Sequence, residues 1–230
     1  MVKNSMHQAP RRRPKKGGYA RGDETRAHII ETALRVFGER GFDQASTRDI
    51  AAKAGVTPPA LQYYFDSKEG LHRACAQYII DGALPNLTAA IQRARVAAGG
   101  GDKAAALDAL ENLLDALTDS LSEPRSENWS RFIMRGKHDG AGPGVEVIRE
   151  QLSIPTVDAV AGLLGTITGV PASEEATRLR TLLVLGQIHW IHAGREQALK
   201  VMHWPKLDSS KVALIKQIVR EHTRRQLKDF

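Results

Sequence analysis

The stretch from Ser46 to Lys68, STRDIAAKAGVTPPALQYYFDSK, constrains this 230-residue chain more than any other. Ile50, Ala51, Ala54, Val56 and Leu61 are apolar, and the residues between them are mostly polar. The pattern reads as a helix, a glycine turn and a second short helix. It sets small residues, Ala51 and Gly55, at the two places where such helices must approach closely. A unit of this kind lays its second helix in the major groove of DNA. The spacing therefore predicts duplex DNA as the partner class.

Helix signals continue on both sides. Asp23-Glu24-Thr25 opens a helix with acids at its positive dipole end. Ile29, Ile30, Ala33, Leu34, Val36 and Phe37 give it an apolar face until Gly41 stops it. Ser46 or Thr47 caps the next helix, with Asp49 in its first turn. Thr57 caps the third, where Pro58 and Pro59 fill first-turn positions that need no N–H. Asp66 or Ser67 caps a fourth, with Leu71, Cys75, Tyr78 and Ile79 along one face. Gly99–Gly101, Glu123-Pro124 and Gly140–Gly144 read as loops. A helix begins near Glu174 and runs toward Met202, Trp204-Pro205 breaks it, and Asp208-Ser209 starts a last helix ending near Phe230. No segment alternates with period two. The expected architecture is all-α with about nine helices, a three-helix head and a larger helical body. The expected divisions are a disordered basic tail over 1–22, the head over 23–70 and the body over 71–230.

Charge is divided unevenly. Residues 1–22 carry Lys3, Arg11, Arg12, Arg13, Lys15, Lys16 and Arg21 and no acid. Setting those seven aside from 33 Lys and Arg leaves 26, against 26 Asp and Glu. The net charge of +7 therefore belongs to the first 22 residues. The span from Asp23 to Gly70 is slightly acidic, with six cations and eight acids. The basic segment reads either as an arm that reaches phosphates or a minor groove, or as a solubilising extension without specific contacts. The longest apolar runs, such as Leu182–Leu185, are far too short to span a membrane. The basic N-terminus has no apolar segment of a secretory signal behind it. One cysteine, Cys75, excludes an internal disulfide framework and suits a reducing cytoplasm.

A capped first helix ending in FGERGF, then T-x-x-I-A-x-x-A-G-V, then a short helix ending in Y-Y-F-x-S-K-E-G-L, resembles the TetR family of bacterial repressors over Glu24 to Leu71. The remainder, with WSRFIMR near Trp129 and GQIHWIHAGREQAL near Gly186, is similar to the family's CecR-like branch. The resemblance implies a recognition helix over Pro58 to Tyr64. Thr47 and Thr57 are then expected to donate hydroxyls to phosphates, and Arg48 to read a guanine edge. Gln62 and Tyr63 face the bases, while Tyr64 and Lys68 grip phosphates from the far end. Gln62, Tyr64 and Pro59 stand where Tyr, His and Gly are frequent in the family, which leaves the base preference open. Phe65 and one of the two tyrosines are expected to pack against the first helix.

The body is expected to supply an effector cavity and a dimer seam. Trp129, Phe132, Met134 and Arg135 share one short helix, and His189, Trp190, His192 and Arg195 another. Aromatics with a few polar groups suit a small-molecule cavity, although aromatics at helical spacing also serve as core. His189 and His192 lack acidic or Cys partners, so no metal and no cofactor is expected. The resemblance implies a homodimer through the last two long helices. It would use Leu179, Leu182, Leu183, Gly186, Ile188 and Ala193 on one, and Val212, Ile215, Ile218 and Val219 on the other. Two heads on one face would then read a palindromic operator. The expected function is a ligand-responsive repressor; a constitutive or architectural DNA binder without an effector is the alternative. No phosphate loop, nucleophile elbow, HExxH or paired-Cys motif points to an enzyme.

Overall fold

Apolar residues at helical spacing bury one stripe per helix, and in this chain those stripes converge on two cores. The computed structural model describes residues 17–83, 85–120, 126–138 and 142–230, and these are helical and loop throughout, with no strand among them. The basic segment up to residue 16 and the loop at Glu123-Pro124 lie outside the described residues. The first helix, α1 (Gly17–Gln44), runs to a kink at Gly41, whose φ of 79° and ψ of 171° only glycine adopts without strain. The expected stop at Gly41 is therefore a break in helical geometry with one short turn beyond it. The start lies six residues earlier than Asp23.

Helix α2 (Thr47–Lys53) begins after an extended Ser46 that makes no side-chain cap, so Asp49 is the favourable group in its first turn. Helix α3 (Pro58–Phe65) is capped as expected: Thr57 Oγ1 accepts from the Ala60 N–H at 3.3 Å. Ser67 Oγ accepts from the Gly70 N–H at 3.0 Å and so caps α4 (Lys68–Ala83). Then come α5 (Pro85–Gly99), α6 (Lys103–Asp119), α7 (Ser126–His138) and α8 (Pro143–Ile148). A π-turn over Arg149–Ser153 leads into α9 (Ile154–Thr168), followed by α10 (Glu175–Ala193), α11 (Arg195–Val201) and α12 (Ser209–Gln226). The described helices outnumber the expected nine. Gly194 divides the stretch running toward Met202, and Pro143-Gly144 starts a helix inside an expected loop.

One core joins α5, α6, α9, α10 and α12 through residues such as Leu110, Leu114, Leu163, Val184, Ile188 and Ile215. The other joins α1 to α4 and takes Trp129 and Phe132 from α7 and Ile148 from α8. Leu152, in the π-turn, packs against both. The head core thus borrows large side chains from the second half of the chain.

A ladder of charge pairs fastens α12 to α6. Arg224 Nε lies 2.5 Å from Glu111 Oε1, Arg220 Nη2 2.7 Å from Asp115 Oδ2, and Lys216 Nζ 2.6 Å from Asp119 Oδ1. Acids four apart on α6 meet bases four apart on α12 running the other way. This is the arrangement that fixes register between antiparallel helices. The Glu111 carboxylate is buried, so its guanidinium partners are needed to offset its desolvation.

Candidate nucleic-acid interface and body surfaces

In α3, Leu61 and Phe65 are four residues apart and both buried, which turns that side of the helix to the head core. Gln62 and Tyr63 follow Leu61 by about 100° and 200° of helical rotation. They are exposed, and Tyr63 is 82% accessible. Pro58 and Pro59 are also exposed at the start of the helix. Tyr64 is half-buried, with its ring edge-on to Tyr63 at 5.5 Å between centroids. Phe65 belongs to the core, and the Arg26 guanidinium lies over its ring at 5.4 Å. The turn between α2 and α3 uses Gly55 at φ 66°, while the Val56 N–H donates to the Ala51 carbonyl at 3.0 Å. Ala51 is fully buried where α2 meets the core, and Gly55 supplies the left-handed turn that follows.

Thr57 accepts a hydrogen bond in capping α3, and its hydroxyl proton remains able to donate outward. Thr47 is half-buried at the start of α2, and Arg48 is exposed beside it. The neighbouring Asp49 pairs with Arg40 at 2.6 Å and lies 3.9 Å from Lys53. That pairing offsets the negative charge nearest Arg48. Lys68 is engaged within the head, where its Nζ donates to the Asp43 carbonyl at 3.0 Å and sits 4.6 Å from the Phe42 ring centroid. It ties the end of α1 to the start of α4.

The body candidates do not converge on one cavity. Trp129 and Phe132 are 6% and 1% exposed in the head core, and the Trp129 indole N–H meets no acceptor among the described residues. Arg135 is exposed on the same helix. His189 and Trp190 are exposed on α10, and the His192 side chain lies outside the described residues, as does that of Met134. Trp190 lines an open apolar cleft of about 540 Å³ with Met202, Trp204, Leu214 and Ile218. The expected seam residues also divide. Ile188, Val212, Ile215 and Val219 belong to the body core, whereas Leu179, Leu182, Leu183 and Ile218 are exposed.

His72, which no sequence motif singles out, is a buried polar group held by several helices. It is 2% exposed, and its Nδ1 accepts from the Gly144 N–H at 2.8 Å. Its ring lies 4.7 Å from Phe37, 4.8 Å from Phe42 and 4.6 Å from Phe132. A methyl group on Gly144 would run into the His72 backbone, so α8 can start against α4 only with glycine there. Burial, assisted by the Lys68 charge, lowers the His72 pKa to about 4 and keeps the ring neutral. The ring thus joins α1, α4, α7 and α8. Its place three residues before Cys75 on the buried stripe of α4 is the signal that could have found it.

The head and body geometry can be set beside known proteins. The model for bacterial regulatory proteins of the tetR family matches residues 29–75, and that for the C-terminal domain of the HTH-type transcriptional dual regulator CecR matches residues 106–229. CecR of Shigella flexneri is 31% identical over 204 residues, covering 88% of this chain and 91% of that protein. The chain belongs to the TetR family. Proteins of this family are DNA-binding transcriptional regulators, not enzymes, and this chain is a TetR-family regulator related to CecR.

The transcriptional activator FasR of Mycolicibacterium smegmatis is 34% identical over 94 residues, 39% of this chain and 42% of that protein. Among solved structures, a putative fatty acid metabolism regulator of Clostridium perfringens superposes with a TM-score of 0.59 at 17% identity, covering 84% of this chain and 97% of that one. PfmR of Thermus thermophilus superposes at 0.53 with 20% identity, covering 87% and 97%. These superpositions establish a TetR-like fold. No described helix is long and apolar enough to cross a membrane, and no described group of three or more His, Cys, Asp or Glu is placed to hold a metal ion.

Proposed function

We propose that the chain is a ligand-responsive transcriptional repressor that acts in the cytoplasm as a homodimer on a palindromic operator, with 23–70 as the reading head and 71–230 as the effector and dimer body. The outward face of α3 carries this reading: Tyr63 stands opposite the buried Leu61–Phe65 stripe and Gln62 on its exposed flank, so both are open to base edges. Thr47, Arg48, Thr57, Pro58 and Tyr64 surround them as phosphate and base contacts. Lys68 serves the head by holding α4 to α1, and its remaining N–H bonds are free to meet phosphate.

Dimerisation is supported by an uncovered apolar face. Leu179, Leu182 and Leu183 on α10 and Ile218 on α12 are each more than half exposed, the property of a surface awaiting a second copy. The effector reading draws support from Trp129, whose buried indole N–H meets no acceptor among the described residues, a place a ligand would fill. Phe132, Arg135, His189, Trp190 and His192 complete the proposed contact set, in two groups rather than one cavity: α7 beside the head core, and α10, where Trp190 lines the open cleft. Ligand binding favours a head spacing different from the operator-bound one, so occupation releases DNA. The structure of AibR, which superposes at 0.54 with 18% identity, was solved with isovaleryl coenzyme A and operator DNA. CecR is named a dual regulator, which favours a second reading in which the sign of regulation depends on operator position. Nuclease footprinting on DNA flanking the chain's own coding region tests the reading. A symmetric protected site with two half-sites about 34–36 Å apart is expected, and protection without symmetry overturns it.

A further inference from the structure

We propose that the cleft between α10, α11 and α12 binds a neutral, apolar aromatic molecule that carries a hydroxyl group. The proposal rests on the ligand-responsive reading and commits it to one cavity and one ligand chemistry. The cleft has a volume of about 540 Å³, within the range of small-molecule pockets. Ile215 and Val219 are buried at its floor, while Trp190, Met202 and Ile218 stand exposed around it. A strained helix end holds Trp204 in place. Helix α11 closes at Met202, and His203 then turns left-handed at φ 54°. The Trp204 N–H donates to the Leu199 carbonyl at 2.9 Å, and the His203 N–H to the Lys200 carbonyl at 3.1 Å. Glycine ordinarily takes the position of His203, so packing of Leu199 and Trp204 against the body core must maintain the turn. The Lys211 ammonium lies over the Trp204 ring at 5.5 Å and restrains it further.

The polar groups of the cleft set the ligand chemistry. Gln187 and His222 line it, and no Lys, Arg, Asp or Glu does among the described residues. An ionised ligand would leave its charge unpaired there, so the occupant is neutral. Gln187 Nε2 donates to the Val184 carbonyl at 3.3 Å, which leaves Oε1 as the acceptor facing His222 Nδ1 at 3.2 Å. Oε1 can only accept, so the hydrogen-bond network assigns the proton of the neutral imidazole to Nδ1. Nε2 is then a lone-pair acceptor. It takes a hydrogen bond from a ligand O–H and offers nothing to an ether or ketone. Two indoles and a thioether around it favour an aromatic ring, whose edges and faces pair with them beyond the area buried. Ile218 also belongs to the apolar face assigned to dimerisation, so a second copy of the chain is the competing occupant.

The test measures binding of two probes to the full-length chain by equilibrium dialysis: para-phenylphenol, and para-methoxybiphenyl, which lacks the donor. The wild type should bind para-phenylphenol saturably and para-methoxybiphenyl about threefold to tenfold more weakly, the contribution of one hydrogen bond. His222→Leu should bind the two probes equally. Trp190→Ala should weaken both by about tenfold, and both substituted side chains are exposed, so the fold should survive. Absence of saturable binding overturns the site. A preference that persists in His222→Leu overturns the hydroxyl assignment. Affinities unmoved by Trp190→Ala place the probes elsewhere and overturn the cleft. Displacement of the probe as the protein concentration rises, in step with dimer formation by light scattering, assigns the cleft to a second copy and overturns the small-molecule site. Binding that follows the expected pattern but leaves affinity for the footprinted DNA unchanged keeps this site and overturns the ligand-responsive reading instead.

Discussion

Stability should fall as pH drops through the range between the ordinary histidine pKa and about 4, because of His72. In the unfolded chain this imidazole takes up a proton near pH 6.5. In the folded chain it sits among Phe37, Phe42 and Phe132 with its Nδ1 accepting from Gly144, and burial holds its pKa to about 4. The unfolded state therefore binds more protons throughout that window, and stability rises with pH across it. Above pH 6.5 both states are neutral and the contribution is flat; below 4 the full penalty applies. The difference of about 2.5 pKa units corresponds to about 3 kcal/mol at most, of which about 2 kcal/mol appears between pH 7 and pH 5. Urea unfolding of the wild type and His72→Gln at both pH values isolates it, since Gln keeps an acceptor and does not titrate. Carboxylates contribute to both proteins and cancel in the comparison. The variant should be less stable at pH 7, yet lose about 2 kcal/mol less than the wild type on going to pH 5. Equal losses, or a His72 imidazole that titrates near pH 6.5 by NMR in the folded protein, would refute the argument.

Phe132→Ala should cost about 3–5 kcal/mol, because a fully buried ring is removed from the α1–α7 contact. Its thermal transition should report loss of the head core, although Phe132 comes from the second half of the chain. Leu182→Glu combined with Leu183→Glu should convert a dimer to a monomer in light scattering with little change in helical circular dichroism, since both side chains are exposed; a monomeric wild type would count against the seam. Glu111→Ala should lower the melting temperature, because it leaves Arg220 and Arg224 without their shared buried carboxylate. Asp119→Ala, at an exposed pair, should have a much smaller effect.

The head was legible because its signals are local. Thr57 before two prolines, Gly55 at a left-handed turn, and Leu61 and Phe65 at i and i+4 each act within a few residues of themselves. The start of α1 was not legible, since Gly17, Gly18 and Gly22 are turn signals in isolation, yet the helix runs through all three. The body was legible as helix but not as surface and core. Leu182 and Val184 are both apolar, and only the packing of α10 against the body core decides that one is exposed and the other buried. Trp129 and Phe132 signalled an important face of α7, yet spacing alone does not say that α1 covers it. The charge ladder was present as acids at 111, 115 and 119 and bases at 216, 220 and 224. It becomes visible only when α6 and α12 are known to lie antiparallel.

The central claim is that the exposed face of α3 reads base edges, and selection of bound sites from a random duplex library tests it directly. Wild-type protein should enrich a twofold-symmetric site, and Gln62→Ala should relax the preference at one symmetric pair of positions. Affinity for the selected site should fall by about 1–3 kcal/mol per lost base contact. Random-sequence binding should stay unchanged. Enrichment of the same site by the wild type and by Gln62→Ala with Tyr63→Ala, at equal affinity, would contradict it.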